Sequence, residues 1–363
     1  MVSNNIINTE TLMGVVYGYY TQYVTLKPLA HNAFAHTGAS KLSIFIDLDD
    51  IFIHLDKYIK EIPGDVTDTI NALTSCIINM CAHYRNFFIN TFGVETYIFI
   101  IGNQNNSYVE SLMCGEYKHP VPGPITAHIK SYTISNLIEY TAYINDVYMV
   151  GNSYDFNAMV TSILLNESKF SGDKMPSLVI SKDISTLLLG SIGVTVLRPK
   201  KYKGQDTSFI VTPGLSFGAY IEAKTKRSID QYRYNSIKTL LSVLVAFSGF
   251  PYRGLKSVKN IDTMVNVLNK CVEDTNNRIT NSIYLSDNDI IEIARVAGVK
   301  DNMVNSLLER YHSINPVLIS SAMKMNGDFS KAYNMMVNMY DPNKMKRANE
   351  TIFAKYPLDL NAL

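Results

Sequence analysis

Tryptophan is absent from this 363-residue chain, and cysteine is scarce, at Cys76, Cys81, Cys114 and Cys271. No two cysteines form a CxxC pair, which excludes the usual spacings of a zinc site and argues against a disulfide framework. In a chain this long the cysteines read as reduced thiols in a cytosol-like compartment. Charge is also low, at 18% of residues with a net +1, so the chain as a whole advertises neither nucleic acid nor membrane. The opening MVSNNIINTE lacks the basic and apolar regions of a secretory signal. The longest apolar stretch, around Leu240–Phe250, falls well short of the ~20 residues of a membrane span. The expectation is therefore a cytoplasmic protein with no membrane partner. The chain has no Gly-rich phosphate loop and no Ser/His/Asp set, and its histidines do not cluster. His31 and His36 fall in a loop-like AHNAFAHTG, and His54 reads as structural at a strand–helix junction.

Apolar residues are plentiful, at 47%, enough for a substantial core in one large domain or two ordinary ones. The 24 tyrosines and frequent Asn and Ile suggest an AT-rich genome, fitting a virus or phage, whose host cytoplasm would then be the location, as well as a bacterium. Residues 1–40 form a Tyr-rich extension with a helix around Gly14–Thr25. Short apolar runs then alternate with longer segments of helical period. KLSIFID (41–47), ETYIFII (95–101), residues 147–150, residues 177–180 and residues 193–197 read as strands. Residues 65–92, 131–143, the stretch from Ser153 or Asp155, and the stretch from Asp183 read as helices, with a proline-bearing loop at 119–125. Cys76 and Cys81 fall on the apolar pattern of the first of these and read as core.

Alternation of this kind predicts an α/β fold with a mostly parallel, twisted sheet flanked by helices. Beyond residue 230 only helical patterns follow, at 237–247, 262–272, 287–297, 302–311 and 330–339. Ser286 and Asp289 have the spacing of a capping box. The organisation expected is an N-terminal extension (1–40), an α/β domain (41–230) and a helical C-terminal region (231–363).

Charge is uneven. Between Arg198 and Arg278 there are 14 basic and 6 acidic residues, a local +8 against −7 for the rest. Such a region bracketing a helix–turn–helix-like segment is the footprint of a surface that binds a phosphate backbone. A solvated face balanced by acids elsewhere is the plainer alternative. In DQYRYNSIK (230–238) tyrosines sit among the cations, as base-stacking side chains do, although half-buried helical tyrosines look the same. The Met-rich stretch 322–340 reads as core or as a partner-binding face.

The order of these segments resembles the flap endonuclease and 5′–3′ exonuclease family (PIN-like), which includes phage ribonuclease H enzymes. SIFIDLDDIF looks like the family's first strand, ending in Asp47. YIFIIGNQNNSYVESLMCGEYK resembles the second strand and the entry to the arch, with Tyr117 and Lys118. YDFNAMVTSIL resembles the acidic helix start, with Asp155 in place of Glu, and LVISKDISTLLL resembles the Asp-x-Asp strand end, with Asp183. LSVLVAFSGFPYRGLKSVKNIDTMVNVL looks like the helix–turn–helix that grips the DNA backbone, with Arg253, Gly254, Lys256 and Lys259 in and beside its turn. The resemblance runs over roughly residues 41–275 and the final NETIFAKYPLDLNAL.

What the resemblance implies is two-metal hydrolysis of phosphodiesters, with Mg²⁺ held by carboxylates. The departures bear directly on that chemistry. Gly102 stands where the family has an acid on the second strand, Asn157 and Ala158 where it has two on the helix, and Ser181 at the first Asp of Asp-x-Asp. The acids before the turn and two of its glycines are also replaced. The remaining carboxylates expected at the site are Asp47, Asp49, Asp155 and Asp183, with Asp50 nearby, enough for one Mg²⁺. Two expectations stand. One is an impaired or inactive member that binds branched or single-stranded nucleic acid, or serves as a subunit in a viral nucleic-acid-processing assembly. The other is a divergent, active Mg²⁺-dependent 5′ nuclease or ribonuclease H.

Overall fold

SIFI, YIFII and SLVI run through three segments without a polar break, the pattern of strands covered on both faces. In the computed structural model of the chain they lie side by side at the centre of one sheet. The structure describes residues 9–35, 37–59, 65–103, 122–152, 156–165, 175–183, 186, 189–190, 193–211, 243, 246–247, 257–260, 263–264, 266–267, 285–312 and 339–361.

In chain order the elements are α1 (Thr9–Tyr17), α2 (Tyr23–Phe34), β1 (Lys41–Asp47), α3 (Leu48–Asp56), α4 (Val66–Phe92) and β2 (Glu95–Asn103). Next come α5 (Pro124–Thr141), β3 (Val147–Asn152), α6 (Phe156–Leu165), β4 (Ser177–Ile180) and β5 (Thr195–Arg198). A hairpin of β6 (Lys201–Tyr202) and β7 (Gln205–Asp206) leads into β8 (Phe209–Val211), and α7 (Asp287–Val296), α8 (301–312) and α9 (Pro342–Thr351) follow. None of the described helices is long and apolar enough to cross a membrane.

The sheet order is β3-β2-β1-β4-β5-β8. The first five strands are parallel, and β8 closes the edge antiparallel to β5. The alternation of side chains divides the strands between two layers. Ile44, Ile46, Ile98, Ile100, Leu178 and Ile180 join the core built around Ile77, Cys81 and Tyr84 of α4. Phe45, Phe99 and Tyr148 point to the other face, where their rings stack at 5.2 and 5.4 Å across β1, β2 and β3.

Local signals account for the element ends. Asp65 caps α4 by accepting from Asp68 N at 2.9 Å, and Gly93 ends it in the left-handed region at φ +66°. Cys76 and Cys81 are buried in α4, as their helical spacing predicts. Ser286 and Asp289 form the expected capping box of α7. Three readings shift. The N-terminal region makes two helices that join the core, broken at Gly18, where a Cβ would lie 2.9 Å from Val15 O. α5 starts at Pro124, seven residues before the expected boundary, because proline is suited to the first turn of a helix. After Asp183 the described residues make 3₁₀ turns at 186 and 189–190 in place of the expected α-helix.

The C-terminal segment 339–361 also joins this core. Met345, Phe353 and Leu358 pack into the cluster around α4, and Ser75 Oγ donates to Tyr356 O at 2.6 Å.

Candidate functional site

The sheet order reverses between β1 and β4: the chain runs outward from β1 through β2 to β3, then returns to β4 on the other side. In open parallel sheets a reversal of this kind marks the place, at the carboxyl ends of the strands, where ligands bind, here called the crevice. Asp47 ends β1, and Ser181, Lys182 and Asp183 follow β4 directly. Two of the sequence-selected acids therefore flank the same crevice, and Asp49 and Asp50 join them from the first turn of α3.

Asp47 is the N-cap of α3: its Oδ1 accepts from Asp50 N at 3.0 Å. Its Oδ2 accepts from Ser181 Oγ at 2.9 Å, and Ser181 Oγ in turn accepts from Asp183 N at 3.0 Å. A serine hydroxyl thus replaces a carboxylate–carboxylate contact by a hydrogen bond at the position where the resemblance expects a further acid. Gly102, at the end of β2, is filled in differently. A Cβ there would meet Leu48 Cδ2 at 2.8 Å, Met149 Cε at 3.1 Å and Ile134 Cδ1 at 3.3 Å. Apolar side chains occupy the volume that an acid at this position would need.

The acids of α3 have dedicated partners. Asp49 Oδ1 is 2.7 Å from Lys130 Nζ, which reaches it from α5. Asp50 Oδ2 accepts from Tyr19 OH at 2.9 Å and from Lys182 N at 2.6 Å. His54 Nδ1 lies 2.8 Å from Asp50 O and 3.2 Å from Asp50 Oδ1, yet Oδ1 receives no well-formed hydrogen bond. A single N–H cannot serve both oxygens well, and the backbone carbonyl has the better geometry.

All of these side chains are buried: Asp47 is 2% exposed, Asp49 7%, Asp50 1% and Asp183 5%. Burial lifts the Asp47 carboxyl well above the ordinary carboxylate range, and the charges of Asp50, Asp49 and Asp183 add to the effect. Burial opposes ionisation of Asp50 too, but the His54 imidazole, the Lys182 N–H and the Tyr19 hydroxyl outweigh it and hold that carboxyl below its usual value. Of the two, Asp47 is therefore the one that takes up a proton first as pH falls. The Lys182 ammonium stands 3.8 Å from the centre of the Tyr19 ring. Burial, with Lys201 and Lys57 nearby and Asp50 acting against them, brings its pKa down to about 8. Arg198, at the end of β5, donates to Lys182 O at 2.5 Å and Asp183 O at 2.7 Å, fixing the loop after β4.

Among the described residues no group of three or more His, Cys, Asp or Glu side chains is arranged to hold a metal ion. A hydrated Mg²⁺ at this place would fall to Asp47 and Asp183, since Mg²⁺ keeps several waters and accepts as few as one or two carboxylates, but both Asp47 oxygens already accept hydrogen bonds, from Asp50 N and Ser181 Oγ. The carboxylates that raise the Asp47 pKa are the charge such an ion would offset. It would supply electrostatic stabilisation of phosphate oxygens.

Of the other sequence-selected residues, Asp155, Lys118, Arg253, Gly254 and Lys256 lie outside the described residues. Lys259 is described, in a turn pinned by Val258 N and Lys259 N to Phe247 O at 2.9 and 3.1 Å. Sequence reasoning does not find Lys130, Tyr19 or Lys182. Each is distant in the chain from the acid it touches, and although Lys182 falls within LVISKDISTLLL, nothing in that stretch points to Asp50. Comparison of the chain with models of protein families, with curated proteins and with solved structures gives no match.

Proposed function

We propose that this chain is a nucleic-acid-binding relative of the flap endonucleases whose hydrolytic centre is impaired, acting by binding branched or single-stranded nucleic acid or as a subunit of a viral nucleic-acid-processing assembly. The observation that carries the reading is the state of the crevice. Acidic residues stand at the carboxyl ends of β1 and β4, where ligands bind in open parallel sheets. Yet Asp49 is matched by Lys130, and Asp50 by Tyr19, His54 and the Lys182 N–H. Two divalent cations in one cleft need several carboxylates to offset their charge. Ser181 and the packing around Gly102 remove the capacity at two of the family's positions. The helix–turn–helix-like segment, with Arg253, Gly254, Lys256 and Lys259, is the backbone-binding element in this reading.

Titration calorimetry with Mg²⁺ and Mn²⁺, alongside a flap-cleavage assay, tests it. One weak site or none, with no cleavage, is expected. Two sites together with cleavage of a flap substrate would establish the active 5′ nuclease instead. The Lys256→Glu/Lys259→Glu protein should bind DNA more weakly, with a shallower dependence on salt.

A further inference from the structure

The turn between β6 and β7 lies at Lys203 and Gly204, both at positive φ (+49° and +79°), the geometry that joins two strands tightly. The hairpin carries Lys201, Tyr202 and Lys203, with Lys200 just before it, and all four are exposed. Tyr202 is 59% exposed, and Lys203 Nζ lies 5.4 Å from the centre of its ring. Tyr202 stands outside the hydrophobic core, as an exposed ring among lysines on a tight hairpin. Because β5 runs parallel to β1, the hairpin leaves the sheet at the edge that carries Asp47 and Asp183.

Its base is fixed. Gln22 N donates to Asp206 Oδ2 at 2.5 Å, Thr207 N to Lys200 O at 2.8 Å, and Lys200 N to Ser208 Oγ at 3.0 Å. Lys201 Nζ donates to Tyr17 O at 3.1 Å, at the carboxyl end of α1. Lys182 Nζ approaches the same helix end, 3.3 Å from where a Cβ at Gly18 would stand. A row of cations therefore runs from the hairpin tip past the end of α1 to the crevice. Successive cations beside an exposed aromatic ring suit a single strand: phosphates meet the lysines, and a base stacks on the ring. A duplex would keep its bases out of reach of Tyr202.

We infer that the β6–β7 hairpin is a second nucleic-acid-binding element, with Tyr202 stacking on a base of a single strand whose phosphates are held by Lys200, Lys201 and Lys203. The inference rests on the nucleic-acid reading above and adds to it the element that holds the single strand and a path for it toward the crevice.

The test uses the full chain with labelled oligo(dT) and oligo(rU), followed by fluorescence anisotropy at two salt concentrations; the two arms separate DNA from RNA. Tyr202→Ala should weaken binding about 5- to 150-fold, the range of one lost stack. Lys200→Glu/Lys203→Glu should lower the slope of log affinity against log salt by about 1.4, two single-strand phosphate contacts. Since the chain has no tryptophan, Tyr202→Trp supplies a single indole that can be excited apart from the tyrosines, and its emission should be quenched when the strand binds. The hairpin is exposed, so the circular dichroism of all three variants should match that of the unmodified chain. If the unmodified chain binds but the first two variants bind equally well and the tryptophan is not quenched, the hairpin inference fails while the nucleic-acid reading stands. If the unmodified chain binds neither oligonucleotide nor a branched DNA, both fall; if it binds the branched DNA alone, the hairpin inference falls.

Discussion

Asp47 performs two tasks that oppose each other. As the N-cap of α3 it must accept a hydrogen bond, and as a buried acid beside Asp50, Asp49 and Asp183 it is costly to ionise. Below about pH 3.9 the carboxyl is protonated in both the folded and unfolded chain and costs nothing. As pH rises past that value the unfolded chain ionises while the folded one holds its proton, so this group lowers stability progressively until its folded pKa is passed. Asp47→Asn keeps the acceptor and removes the charge. Thermal unfolding in EDTA should show a higher Tm than the unmodified chain above about pH 4, with a gain that grows with pH until the folded pKa is passed. An equal or lower Tm at pH 7 would mean that the ionised form is welcome in the crevice. Asp47→Ala should instead lose about 0.5–2 kcal/mol with the cap. Ser181→Asp probes the same crevice from the opposite direction. It replaces the hydroxyl that donates to Asp47 Oδ2 by another acid, so Tm should fall in EDTA. Mg²⁺ or Mn²⁺ should restore more of it than either ion adds to the unmodified chain, and a Tm indifferent to both ions would remove the argument that Ser181 limits cation binding.

At the scale of elements, α5 carries Lys130, the cation that matches Asp49 inside the protein. Removing one member of a buried pair leaves a desolvated charge and costs about 3–5 kcal/mol, whereas replacing both is often neutral. Urea unfolding should therefore place Lys130→Met that far below the unmodified chain, and Asp49→Asn/Lys130→Met close to it. Two additive losses would mean that the pair is not coupled. The elements themselves were largely legible in sequence. KLSIFID, ETYIFII and residues 177–180 read as strands because parallel strands covered on both faces are apolar throughout. The span of α4 was legible because Asp65 and the glycine after Phe92 punctuate a helical period. Pro124 misled, since proline marks a loop and a helix start equally well. The placement of Asp47 and Asp183 at one crevice followed from both standing at strand ends. The engagement of Asp49 and Asp50 did not, because it depends on the Lys130 ammonium and the Tyr19 hydroxyl, brought to them only by the three-dimensional packing of α5 and of the N-terminal region.

Over the whole molecule, the chain closes on itself. The segment 339–361, in the region that sequence assigns to a helical C-terminal part, lies against α4 and α5. Met339 N donates to Ala142 O at 2.7 Å, Asp341 N to Tyr143 O at 3.3 Å, and Asp359 N to Asn79 Oδ1 at 2.9 Å. Two kinds of contact hold it, and their magnitudes differ. Lys355 Nζ and Tyr356 OH reach Asp68 Oδ2 at 2.6 and 3.0 Å, but Lys355 is exposed, and exposed ion pairs contribute little in salt. Phe353 is fully buried, meets the Tyr140 ring edge-on at 5.0 Å, and belongs to the same apolar cluster as Ile44, Ile98 and Leu178 of the sheet. Removing such a ring costs about 3–5 kcal/mol. Because the cluster is continuous, that loss should fall on the sheet and on the tail alike. Phe353→Ala should shift the unfolding transition of the α/β sheet, followed by far-ultraviolet circular dichroism, to lower urea, while Asp68→Asn leaves it nearly in place. If Phe353→Ala leaves that transition unmoved and produces a separate earlier one, the tail is an appendage, and the sheet with its acidic crevice stands without it.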